Sequence, residues 1–533
     1  MRDIKMKFLR ALVLTQFFSL LLTINAWATS TPSPTPTPKP TPVPGVYTWH
    51  VDPQRTGLNS SEIALTPSTV NATKFGKLFS VSVDGHVYAH PLYVAKVNMG
   101  SAGIHNVTYV ATEHDSVYAI DADSGGTPLW KASFINSGSG ITTVPNTDLK
   151  CSNISPEVGI TSTPVIDPSS STIYVVAKTK ENGSYFFKLH ALDLATGAEK
   201  FGGPKTLTAS VSGTGDGSSG GVVSFDAFTV NQRSALLLNQ GVVYIATASH
   251  CDNGPYHGWI LGYNATTLAQ SYVFNTTPNG SDGGIWMSGG GPAADYSGNI
   301  IVGVGNGTYD SSNEYGQSVI KLTSGLQVLD WFTPYNQAAL SAVDSDMGVG
   351  VSIVLPKQAG ANPHLTFGYG KAGKLYLLNR DNMGKYNGSN DNQIVQVVPG
   401  VVHGQTLSSG AYWNSYLYFA GNNGPLVQFQ LTNGLLSTSP VHSDTSLNYP
   451  SQGSTVEISS NGNLTPIAWT IVGGGTSAAI LRANDGTNVS KVLYNSSTAG
   501  VTLPNSVKFT SPLIVNGKVY IGTQSTLEVF GLH

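Results

Sequence analysis

The sequence predicts an all-β chain folded as an eight-bladed β-propeller, with seven blades as the alternative count. Three observations carry this expectation. First, a pattern of two apolar runs, a polar turn and a Gly-rich turn fills Val107–Phe134 and recurs at Thr172–Phe201 and Val242–Phe274. Later copies stand at Asn299–Phe332, Leu365–Asp381 and Lys518–Leu532. Self-similarity at periods of roughly 40–70 residues, with short strands throughout, marks radially repeated four-stranded sheets. Second, 60 glycines and only 11% charged residues in 533 suit many short strands joined by tight turns. That composition argues against helical bundles and charged tails. Third, the last copy shows three strands, Val507–Leu532, while the run Gly76–Val83 (GKLFSVSV) has no blade of its own. Pairing this N-terminal strand with the last blade closes the ring and removes two exposed edges.

In chain order, residues 1–28 read as an export signal. Arg2, Lys5, Lys7 and Arg10 form a charged start, Ala11–Ile24 an apolar centre, and Ala26-Trp27-Ala28 a small-x-small cleavage site. Its removal leaves the protein exported, to the periplasm or the medium, with no membrane span; an uncleaved anchor is the alternative. Taking four basic and one acidic group from totals of 27 and 30 leaves 23 and 29, a charge of about −6. Nucleic acid is excluded as a partner, because a phosphate backbone demands a basic face. Residues 29–45 form a Pro/Thr-rich linker, a spacer or a passive remnant, and the propeller occupies 46–533. Cys151 and Cys251 are either a disulfide, as an oxidising compartment favours, or two buried thiols.

The blades follow at about Pro91–Phe134, Ile160–Leu207, Asn231–Thr276, Gly284–Pro334, Asp346–Gly400, His403–Pro440, Gly453–Asn495 and Val507–Leu532. The sixth and seventh match the pattern least. In this topology the turns between second and third strands open on the same face as the loops entering each inner strand. Asp252, Asn306 and Lys371 fall on the former, and Trp286, Asp344 and Asp346 on the latter. Carboxylates and an amide oxygen around one axis suit a hard cation such as calcium. The indole can stack a flat ligand and the lysine can pair with an anionic one. Each residue also has a plainer reading. Trp286 can dock blades, Asn306 between two glycines can make a positive-φ turn, Asp346 can cap a turn, and Lys371 can be solvated. Glu113-His114-Asp115 reads as an ordinary exposed turn, and His86 and His90 as channel residues satisfied by water or backbone.

The repeats at Val107–Trp130 and Leu189–Phe201 resemble those of pyrroloquinoline quinone (PQQ) propellers, the quinoprotein alcohol dehydrogenases. The likeness is best over Val242–Asp381 and thins after residue 400. The stretch GGIWMSGGGPAADYSGNIIVGVGNG (Gly283–Gly307) is similar to one in which a tryptophan floors the quinone and an asparagine binds calcium. The resemblance therefore implies Trp286 and Asn306 in those roles. It further implies Asp346, in DSDMGVGVSIVL, as catalytic aspartate and calcium ligand, and Lys371, in GKAGKLYLLNRDN, as the partner of the quinone carbonyls. The family's remaining calcium ligand, a glutamate, is replaced within CDNGPYHGW, so Asp252 or Asn253 must serve.

The implied activity is oxidation of an alcohol or sugar hydroxyl with PQQ and calcium. Calcium polarises the quinone and Asp346 takes the alcohol proton. With no C-x-x-C-H haem motif, an external electron acceptor is required. The chain departs from the family in lacking adjacent cysteines at Cys151-Ser152 and an arginine near Val158-Gly159-Ile160. The family's blade-three arginine is His257 here. A Cys151–Cys251 bridge is one replacement for the missing clamp. Two competing readings stand beside this one. One is a non-catalytic propeller binding glycans or envelope proteins; the other is a polysaccharide hydrolase or lyase using Asp344 and Asp346.

Overall fold

The computed structural model describes residues 45–533 except 349, 351, 402, 403, 405 and 406. The predicted export signal, 1–28, and the predicted linker up to residue 44 lie outside the described residues. Within them the chain forms eight β-sheet blades around one axis. Blade one is typical: Leu92–Asn98 is innermost, followed outward by Ile104–Thr112, Ser116–Asp121 and Trp130–Ser133. The closure expected from the sequence is present. Phe75–Ser82 pairs antiparallel with Thr526–Leu532 as the outermost strand of blade eight. The hydrogen bonds of a seven-residue register thus tie the two ends of the fold together and cover the edge of Thr526–Leu532.

A tyrosine recurring in the second strand of five blades explains how those blades grip their neighbours. Tyr109 Oη donates to Leu194 O at 2.9 Å, Tyr174 Oη to Ala265 O at 2.7 Å, and Tyr520 Oη to Ala122 O at 3.0 Å. Tyr244 and Tyr418 do the same to Ser324 O and Gly486 O. In every case the acceptor lies just past the third strand of the neighbouring blade. That turn is itself shaped by an Asx side chain: Asp121 Oδ1 accepts from the N–H groups of Asp123 and Ser124, and Asp193 and Asn264 act alike. Between the tyrosines, apolar side chains of adjacent sheets interdigitate, as Val107, Val117, Ile173 and Leu192 do between blades one and two. Each such fully buried residue contributes about 1.5–3 kcal/mol.

One feature left no trace in the repeat pattern. Residues 45–59 circle the central channel once, touching the inner edge of all eight blades. Gly45 and Val46 pair with Val94 and Tyr93, and Tyr47 O accepts from Ile166 N–H. Arg55 donates to Leu236 O and Pro292 O, while Pro53 O and Gln54 O accept from Ala294 and Val354 N–H. Thr56 O accepts from Tyr412 N–H, Leu58–Asn59 runs parallel to Glu457–Asn461, and Asn59 Nδ2 donates to Ile514 O. Trp49 and Arg55 are wholly buried in this collar.

Candidate functional site

The candidate residues come from separate blades and meet at one mouth. Asp252 follows Val242–Ser249, Asn306 follows Ile300–Gly303, and Lys371 follows Leu365–Tyr369. Trp286 and Asp346 sit on the loops entering blades four and five. Their centre is the Asp346 carboxylate. Its Oδ1 accepts the Asn306 backbone N–H at 2.7 Å and its Oδ2 faces Lys371 Nζ at 2.7 Å. Lys371 also reaches Asp344 Oδ1 at 2.8 Å, which accepts Asn306 Nδ2 at 2.9 Å. Trp286 lies against this group. A Cβ placed at Gly305 would come within 2.7 Å of the indole Cδ1 and 2.9 Å of Asp346 Oδ1. Only glycine permits that approach.

Sequence reasoning missed two members of the site. Gln317 donates from Nε2 to Asn306 Oδ1 at 2.6 Å and accepts the Met347 N–H at 2.6 Å, fixing the amide that carries Asn306. Asn306 is therefore not the positive-φ turn residue of the plainer reading; its side chain is held from two sides. Arg233, from the loop entering blade three, donates Nε–H to Trp286 O at 3.0 Å. Its guanidinium lies 5.0 Å from the Trp286 ring centre and 4.8 Å from that of Phe509. An arginine beside a run entering an inner strand, in NQRSALLL, was the available signal.

Burial and charge set the titration of these groups. Burial pushes the Asp346 carboxyl up to about 6, against the pull of Lys371 and the Asn306 N–H. Burial acts to lower Lys371, but its pairs with Asp346 and Asp344 prevail and its pKa is raised. Burial lowers Arg233 to about 10, with Asp346 and Asp252 opposing. Asp346 is thus a proton acceptor poised near neutrality, with a cation on one oxygen and an N–H on the other.

Beside this group opens a cleft of about 640 Å³, lined by Asp252, Tyr256, Asn306 and Asp344 among others. Tyr256 Oη donates to Asp252 Oδ1 at 2.9 Å. Asn253 instead donates to Leu149 O at 3.0 Å, so of the two residues offered by the sequence only Asp252 faces the cleft. Asn253 helps to anchor a folded loop, residues 144–158, to blade three. Residues 144–158 fold back with Val144–Pro145 paired to Glu157–Val158, and Cys151 is joined to Cys251 in a disulfide. Lys508 Nζ, from the loop entering blade eight, donates to Asn153 O.

The site supplies the residue types that the implied cofactors call for, without a metal cluster formed among the described residues or an open stacking floor. Among the described residues no three His, Cys, Asp or Glu side chains gather as a metal cluster. A hard cation here would rely on the mixed set of Asp252, Asn306 and Asp346, oxygen donors of the type calcium takes. Of the two cations near Asp346, Lys371 stands beside the cleft, while Arg233 is buried against the Trp286 and Phe509 rings. The open stacking floor expected of Trp286 is absent: the indole is 5% exposed and carries Arg233 on its ring. His257, which stands for the family's arginine, is buried and bonded to Thr277 Oγ1 and Asp216 O.

The turn Glu113-His114-Asp115 corrects its sequence reading. Glu113 and Asp115 are buried, not exposed, and Glu113 Oε2 accepts the Gly159 N–H and Thr161 hydroxyl. Burial raises both carboxyls, Glu113 to about 8. His90 is buried in the channel, with Nδ1 2.7 Å from Ser511 Oγ.

No family profile matches this sequence, and no curated protein matches it by sequence. Solved structures do match in fold. Quinohemoprotein alcohol dehydrogenase from Comamonas testosteroni superposes with TM-score 0.58 at 14% identity, over 92% of this chain and 80% of that one. Quinohemoprotein alcohol dehydrogenase ADHIIG from Pseudomonas putida HK5 gives 0.58 at 12%, over 92% and 80%. A europium-containing methanol dehydrogenase gives 0.56 at 12%, over 91% and 98%. The likeness is one of fold: this chain is built as the quinoprotein dehydrogenases are built.

Proposed function

We propose that this chain is an exported quinoprotein-like oxidoreductase that oxidises an alcohol or sugar hydroxyl with PQQ and calcium at the propeller mouth. The observation that carries the reading is the convergence of Asn306, Lys371 and Trp286 on the Asp346 carboxylate, four residues drawn from four separate loops. Asp252, Asn306 and Asp346 would hold calcium, and Lys371 would meet the cofactor's anionic edge. The bound quinone would supply the hydride acceptor, and reoxidation would fall to an external electron acceptor. Asp346 takes the proton of the substrate hydroxyl on its carboxylate. Lys371 keeps that carboxylate ionised at neutral pH, and the Asn306 N–H fixes its orientation. Trp286 serves as a wall that positions Asp346 and Arg233 in place of an open floor.

The test uses mature protein reconstituted with calcium and PQQ, assayed for dye reduction with a panel of alcohols and aldoses. Turnover is expected in the wild type. Asp346→Asn should lower it by about 10²–10⁴-fold while quinone uptake persists. Full turnover in Asp346→Asn would remove Asp346 from the reaction.

A second reading, a propeller that binds glycans without catalysis, is favoured by one observation: the covered face of Trp286. Quinone-independent sugar binding with no turnover would place it first.

A further inference from the structure

The mouth cleft does not end at Thr308. A second hollow of about 380 Å³, lined by Thr214, Asp216, Ser218 and Asn279, shares both Ser281 and Thr308 with it. The two form one groove running outward over blades three and four. Its lining holds hydroxyls, amides and peptide groups, with four carboxylates, Asp216, Asp252, Asp282 and Asp344. No lysine, arginine or histidine is part of its wall, and Lys371 behind it pairs with Asp344 at 2.8 Å, so the negative field rests on Asp216, Asp252 and Asp282.

At the other end stands a rim of aromatic rings. Tyr309, part of the cleft wall, lies 5.1 Å from Tyr386 between ring centres and is held by Trp331 Nε1–H on its hydroxyl at 3.2 Å. Tyr386 in turn donates to Tyr335 O, and both Tyr335 and Tyr386 expose large apolar surface. Rings that present apolar faces beside a row of hydroxyl-binding groups match the alternating faces of a sugar chain. A small alcohol would use only the inner end of this groove.

We infer that the groove takes a neutral or amino-bearing oligosaccharide, seated from the Tyr309–Tyr386 rim to the Asp216 end, and that it rejects uronate chains. This deepens the proposed function by naming its substrate class, and so rests on that reading for the chemistry but not for the binding.

The experiment is calorimetric titration of the mature protein, without cofactor, with cellohexaose, a fully deacetylated chitosan hexamer, a galacturonate hexamer and glucose. Cellohexaose and the chitosan hexamer should each bind at least about tenfold more tightly than glucose, and the galacturonate hexamer should not bind. Tyr386→Ala should weaken both hexamers about tenfold. Asp216→Lys should weaken the chitosan hexamer selectively and admit the galacturonate hexamer. Equal affinity for glucose and hexamers, or tightest binding of galacturonate to the wild type, would overturn the inference. So would absence of all sugar binding. Because quinone is omitted, hexamer binding with no later oxidation sinks only the oxidoreductase reading. Oxidation of simple alcohols with no hexamer binding sinks only the groove.

Discussion

A carboxylate held between an ammonium and a backbone N–H titrates where burial and pairing balance. For Asp346 that balance lies at about 6, above the ordinary aspartate range. Its ionised form is the base, so kcat/KM with a hydroxyl substrate should fall about tenfold per pH step below 6 and level off above it. Lys371→Met removes the opposing charge. It should carry the acid limb of that profile to higher pH; an unmoved limb would show that Asp346 does not set it. Glu113 and Asp115 give the opposite kind of prediction, one of stability. Glu113 has its folded pKa raised to about 8, so its contribution is present below the usual glutamate range and is lost as pH rises through 8. Between those limits each such group removes about 1.4 kcal/mol per pH step. Glu113→Gln with Asp115→Asn should flatten urea midpoints measured at pH 5, 6.5 and 8. Four of the central side chains were legible in the sequence, because each stands at a turn where polarity has no packing purpose. Arg233 and Gln317 were not, since each borders an apolar run whose core-facing neighbours disguise it.

At the scale of elements, the blades were readable because each repeats one economy of parts. A tyrosine on the second strand and an Asx turn after the third recur as TYVAT, IYVVA and VYIAT, followed by Asp121, Asp193 and Asn264. The collar at residues 45–59 was not readable. It contributes single backbone groups to each blade, a pattern with no period of its own. Arg55 is its keystone, donating to Thr48 Oγ1, Trp49 O, Pro292 O and Leu236 O from a fully buried position. Arg55→Ala leaves four buried acceptors unpaired and should cost about 3 kcal/mol or more, read as a lower urea midpoint. A change under about 0.5 kcal/mol would mean that the collar adds nothing to ring stability.

For the whole molecule, closure by Phe75–Ser82 and the eight-blade count followed from an unpaired run at one end and a missing strand at the other. The closed ring brings Asp252, Asn306, Asp346 and Lys371 from blades three to five to a single mouth. The Cys151–Cys251 bridge ties the loop at 144–158 to blade three. Among the described residues no helix is long and apolar enough to cross a membrane. What sequence could not convey was the packing on Trp286, because Arg233 and Phe509 arrive from loops hundreds of residues apart. The proposed chemistry requires that mouth to hold a quinone with calcium. The most direct measurement is a spectroscopic titration of the mature protein with PQQ, with and without calcium, repeated on Asp252→Ala with Asn306→Ala. Calcium-dependent uptake of one quinone per chain, lost in the double variant, is the predicted result. Absence of uptake by the wild type at micromolar quinone, or uptake that ignores both calcium and the double variant, would contradict it.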